Sequence, residues 1–141
     1  MNLDPDRTGS GTLLGMPRAR DERPAPQLQP TAIIGGLLLA VVVGLGLITL
    51  GASAGAPALG LVAPIIGCAC GGFLAGTRAR TAGLYHGAFV GAGWIGLEAF
   101  GVVPTAAGQG LATLQETLAI IVIDVLLIIA AMCGGFAASR N

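Results

Sequence analysis

Residues 31–50 read TAIIGGLLLAVVVGLGLITL. This uncharged run has the length a helix needs to cross a bilayer core, about 20 residues. It begins after Pro30 and ends before a short Gly/Ala/Ser stretch. No charge occurs anywhere between residues 24 and 77. The rest of the 141-residue chain has the same character: 54% hydrophobic and 10% charged, with 24 glycines. A soluble domain carries about 25% charged residues and could not cover its surface with so little polar material. An ordinary globular enzyme, a basic nucleic-acid binder and a disordered chain are all excluded on these grounds.

Working outward, the apolar sequence divides at its charges and at Gly/Pro breaks into spans at 31–50, 57–76, 82–103 and 117–138. Pro57 suits the first position of a helix. Thr77 to Thr81 reads as a charged turn, and 104–115 as a small-residue loop. The expected fold class is therefore all-α: a polytopic membrane protein with four transmembrane helices forming two hairpins. Residues 1–30 hold five of the eight prolines and eight charges, and read as a disordered tail. The Ala52-Ser53-Ala54 triplet has the form of a signal-peptide cleavage site. The length of the apolar run and the tail before it favour an uncleaved span.

The charged residues choose the sidedness. All seven basic residues are arginines, in the tail, at Arg78 and Arg80, and at Arg140. The two loops on the other side have none. Basic residues stay in the cytoplasm, so the expectation is a multi-pass protein of the cell (inner) membrane with both termini cytoplasmic.

Residues 65–73 (IIGCACGGF) and 128–136 (IIAAMCGGF) agree at six of nine positions, the mark of a parallel internal repeat. Small residues recur every four positions: Gly36, Ala40 and Gly44; Gly67 and Gly71; Gly72 and Gly76; Gly83, Gly87 and Gly91; Ala130, Gly134 and Ala138. With Gly135 these form stripes that let helices approach closely in lipid. Two uses stay open, packing within the bundle and association with a second copy or another membrane protein.

Two acids remain inside the spans. Glu98 lies roughly 22 Å from the inner end of its helix and Asp124 roughly 21 Å, from a 1.5 Å rise per residue. Glu98 continues the stripe of Gly83, Gly87 and Gly91. Asp124 precedes Ala131, Gly135 and Ala138 on one face. Carboxylates at such depth cost about 3 kcal/mol and usually face protein or water. If they met they would share a proton, the chemistry of a proton- or cation-handling site. Cys68, Cys70, Cys133 and His86 gather at another depth, but Cys68 and Cys70 are two apart on a helix and cannot both face one ion. No metal, cofactor or nucleic-acid site is expected. His86 and Tyr85 read as interfacial or packing residues, and Trp94 as a packing residue. No phosphate loop, zinc-protease helix or nucleophile elbow occurs, so no catalysis is expected.

The stretch Gly71 to Gly91, GGFLAGTRARTAGLYHGAFVG, resembles the signature of an uncharacterised family of small four-helix prokaryotic membrane proteins. The matching residues are Gly71, Gly72, Phe73, Ala75, Gly76, Arg78, His86, Gly87 and Gly91, with Gly134-Gly135 closing the last helix. The resemblance implies four transmembrane helices and no established activity. The functional expectation is a structural or auxiliary bundle whose partners are the bilayer and a second copy or another membrane protein. The alternative is a small proton- or cation-coupled carrier or channel using Glu98 and Asp124.

Overall fold

The computed structural model describes residues 28–56, 58–79, 82–104 and 114–140. Four helices make up the fold: α1 (Pro30–Ser53), α2 (Ala58–Ala79), α3 (Gly83–Ala99) and α4 (Leu114–Ala138). No strand occurs among the described residues. The expected tail, Pro57, Arg80 and most of the 104–115 loop lie outside the described residues.

Three helices, α1, α2 and α4 from Gln115, are long and apolar enough to cross a membrane. Helix α3 falls short of that length, so three of the four expected spans qualify by length and composition. It has 17 residues, or roughly 25 Å at the helical rise, against a hydrocarbon core of about 30 Å. Its early end has a local cause. Gly101 adopts φ 69°, a left-handed conformation that glycine accepts at no steric cost. The Val102 N–H then reaches back to the Leu97 carbonyl at 2.9 Å, and the Gly101 N–H to that of Glu98 at 2.9 Å. These two bonds are a Schellman stop. The chain beyond it turns inward, and Val103 is buried in the core. At the other margin α2 outlasts its expected end: Thr77 and Arg78, expected in a charged turn, belong to the helix, which runs to Ala79. Arg78 there lies beside carbonyls at the negative end of the helix dipole.

Helix α1 stops in the same way as α3. Gly55 takes φ 65°, the Ala56 N–H bonds the Gly51 carbonyl at 2.9 Å, and the Gly55 N–H points at that of Ala52. The two helices that begin the hairpins thus share one stop signal.

Packing follows the glycines. Helix α1 packs on α2 and more lightly on α3; α4 packs on α2 and α3; α2 and α3 also touch. Among the described residues α1 and α4 do not meet, so these two form opposite edges. The small-residue stripes close every joint. A methyl group on Gly36 would overlap the Gly71 carbonyl, and one on Gly71 the Gly36 carbonyl. Gly83 and Gly135 are related in the same reciprocal way. Gly67 abuts the Ala40 carbonyl, Gly87 that of Ala131, and Gly91 the backbone of Ile128. Between the hairpins, Gly72 faces the Ala131 carbonyl, Gly76 that of Gly135, and Gly134 that of Ala69. Gly44 receives the Trp94 ring. The stripes are thus filled by packing inside one chain.

The leading helices of the two hairpins use the same glycine spacing against their partners. Gly36, Ala40 and Gly44 stand to α2 as Gly83, Gly87 and Gly91, 47 residues later, stand to α4. The matched segments 65–73 and 128–136 lie on the helices α2 and α4, which pack together.

Candidate functional site

Helix α3 carries the chemistry because it presents two faces to protein. Gly83, Gly87 and Gly91 face α4. The adjoining row His86, Val90 and Trp94 is buried. There a Val90 methyl reaches the backbone of Gly36, and the Trp94 ring rests on Gly44 of α1. The four-residue spacing of both rows keeps each on one side of the helix.

Glu98 sits one turn beyond Trp94, and the two are bonded. The indole Nε1–H donates to Glu98 Oε1 at 2.9 Å. Trp94 is fully buried and is the largest such side chain among the described residues. Its N–H needs an acceptor there, since an unpaired buried donor costs about 1–3 kcal/mol. Glu98 supplies one and is thereby held near the C-terminal end of α3. Its carboxyl lies within electrostatic range of Asp124 on α4 and of Cys68 on α2. Glu98 and Asp124 are both half-buried, and Cys68 is buried. Glu98 is thus coupled electrostatically to one group on each of two neighbouring helices. Asp124 leads the buried positions Leu127, Ala131 and Gly135 along α4, the face expected for it. No buried polar side-chain atom among the described residues lacks a partner.

Of the other cysteines, Cys70 and Cys133 are exposed and all three are free thiols. Cys68 and Cys70 point to opposite sides of α2. Among the described residues no three His, Cys, Asp or Glu side chains gather as metal ligands. Two arginines lie at one end of the bundle: Arg78 drapes its guanidinium over Gly35 of α1, and Arg140 stacks on the Phe136 ring at 4.7 Å. Arg80 lies outside the described residues.

Two relationships escaped the sequence reading. The Trp94–Glu98 bond was signalled by its i,i+4 spacing, which places the two side chains one above the other. His86 gave no such signal. It is fully buried and bonded at both ring nitrogens. Nε2 accepts the backbone N–H of Gln29 at 3.0 Å, and Nδ1 lies 3.0 Å from the Ala82 carbonyl. Gln29 precedes His86 by 57 positions, so nothing local announces the pair.

Set beside protein-family models, curated proteins and solved structures, the chain finds no match.

Proposed function

We propose that the chain is a multi-pass inner-membrane protein with both termini in the cytoplasm, serving a structural or auxiliary role without catalysis. In this reading α3 crosses with its neighbours, its ends completed by the Ala82 turn and the Gly101 stop. One observation carries the proposal: the small residues face inward and large apolar residues face outward. Ile34, Leu38 and Val42 on α1, and Val122, Val125 and Ile129 on α4, are exposed. A soluble monomer rarely exposes apolar patches of more than a few hundred Å², whereas lipid is the natural cover for such an exterior. The arginines at one end support the orientation. The two hairpins, with one stop signal and one glycine spacing on their leading helices, read as a duplicated unit. A second copy or a membrane partner would have to dock on the outer apolar faces, since the inner stripes are occupied. Reporter fusions at both termini and in the 54–57 loop test the topology. A cytoplasmic 54–57 loop would end this reading.

The electrostatic coupling of Glu98 to Asp124 and Cys68 favours a second reading, a small proton- or cation-coupled carrier or channel. Purified protein in liposomes should then carry proton or cation flux that Glu98→Gln with Asp124→Asn abolishes. Absence of flux at every pH would leave the structural role alone.

A further inference from the structure

We propose that His86 is a proton-operated clasp that fastens the start of α1 to α3 while neutral and releases it when protonated. Gln29 is the N-cap of α1 and makes no side-chain capping bond. In a capping box the N3 side chain, Glu or Gln, accepts the N-cap backbone N–H. The N3 residue here is Ala32, which has no acceptor. His86 performs that task from another helix. The two partners fix its state without ambiguity. A carbonyl at Nδ1 requires a proton there, and an N–H at Nε2 requires a lone pair. The imidazole is therefore neutral and Nδ1-protonated.

A second proton on Nε2 would turn that acceptor into a donor facing another donor, so the Gln29 bond cannot survive it. The new charge would also lie at the positive end of the α1 dipole. Among the described residues nothing offers it compensation. From α2 the nearest charged group at this end is Arg78, over Gly35; from α4 it is Arg140, over Phe136. On α3 itself Tyr85 is exposed. Helix α1 contributes no titratable group. The described carboxylates, Glu98, Glu116 and Asp124, lie in the outer parts of α3 and α4, away from this end. Because His86 is fully buried, protonation and opening at Gln29 must occur together. The segment set free is the junction between residues 1–27 and the bundle.

The chain has one histidine, so a histidine-selective ¹⁵N label reports on His86 alone. A spin label on Leu28→Cys, with Cys70→Ser and Cys133→Ser in the full chain, reports on the junction; Cys68 is buried and inert. Along a descending pH series, the ¹⁵N spectrum should pass from the Nδ1–H tautomer to imidazolium. The label should pass from immobile to mobile over the same interval. His86→Gln, which keeps an acceptor but cannot titrate, should hold the label immobile throughout. The clasp is refuted if the neutral ring carries its proton on Nε2. It is equally refuted if the label ignores protonation, or if His86→Gln follows the same pH course as the parent chain.

Discussion

The first hairpin, α1 with α2, and the second, α3 with α4, are joined alike and furnished differently. Each is closed by a reciprocal glycine pair, Gly36 with Gly71 and Gly83 with Gly135. Each leading helix ends in a Schellman stop, at Gly55 and at Gly101. The contents of the leading helices diverge. Where α3 has His86, Trp94 and Glu98, the α1 positions 47 residues earlier are Leu39, Leu47 and Gly51. Asp124 belongs to the second hairpin as well. The shared part is backbone contact, which specifies that two helices lie close. The unshared part is polar and buried, which costs stability in lipid unless something holds it. Whatever this protein does beyond packing resides in that difference.

The shared part gives the largest expected effect. Gly71→Leu and Gly135→Leu each drive a side chain into a facing backbone carbonyl, which cannot step aside as a side-chain tip can. Overpacking a well-filled site costs about 1–3 kcal/mol and occasionally more. Opposed to backbone, both variants should reach or exceed the top of that range and lose the folded bundle in an SDS-titrated unfolding assay. If one hairpin tolerates the change and the other does not, the two joints are not equivalent.

The unshared part comes next. Trp94→Ala empties the seat on Gly44 and removes the donor to Glu98. Truncating a buried Trp costs about 3–5 kcal/mol. Trp94→Phe keeps most of the volume and loses only the N–H, so its loss should be nearer that of one hydrogen bond to a charged group, about 1.5–3 kcal/mol. Equal losses would mean that the Trp94–Glu98 bond contributes nothing. Leu47→Ala at the corresponding place in α1, where the side chain is only half-buried, should cost less than Trp94→Ala.

How much of this was readable beforehand follows the same division. The glycine spacing, the matched segments 65–73 and 128–136, and the arginine sidedness are local patterns, and local patterns survive in sequence. The end of α3 was misplaced because Gly101-Val102-Val103 reads as more apolar helix, and only its backbone bonds show a stop. The face of Asp124 was legible from its small-residue stripe. The His86–Gln29 bond was not, because it joins a backbone N–H, which every residue but proline has, to a ring 57 positions away.

A smaller change isolates the charge at Glu98. Glu98→Gln retains a side-chain oxygen for the Trp94 N–H and removes the negative charge beside Asp124. A charged acceptor is stronger than a neutral one by about 1 kcal/mol, but the substitution also relieves repulsion between the carboxylates. The two effects oppose each other, so the stability of the bundle should move by less than the loss in Trp94→Phe. A larger loss would show that the charge, rather than the hydrogen bond, anchors the outer end of α3.

The smallest expected effect compares equivalent glycines that do not close a joint. Gly46 on α1 and Gly93 on α3 are 47 residues apart, as are the joint glycines. A methyl group on Gly46 would meet nothing within 4 Å, whereas one on Gly93 would meet a Leu37 methyl at 3.1 Å. Glycine inside a helix is less favourable than alanine by roughly 0.5–1 kcal/mol because it has more backbone freedom to lose. Gly46→Ala should therefore stabilise the bundle by about that amount. Gly93→Ala gains the same backbone term but must displace Leu37, so its net gain should be smaller. The pair of unfolding midpoints then measures the consequence of α3 being enclosed where α1 is open. Equal gains would mean that Leu37 moves aside freely and that the contact between α1 and α3 is loose at this level, leaving Trp94 on Gly44 to hold the two helices together.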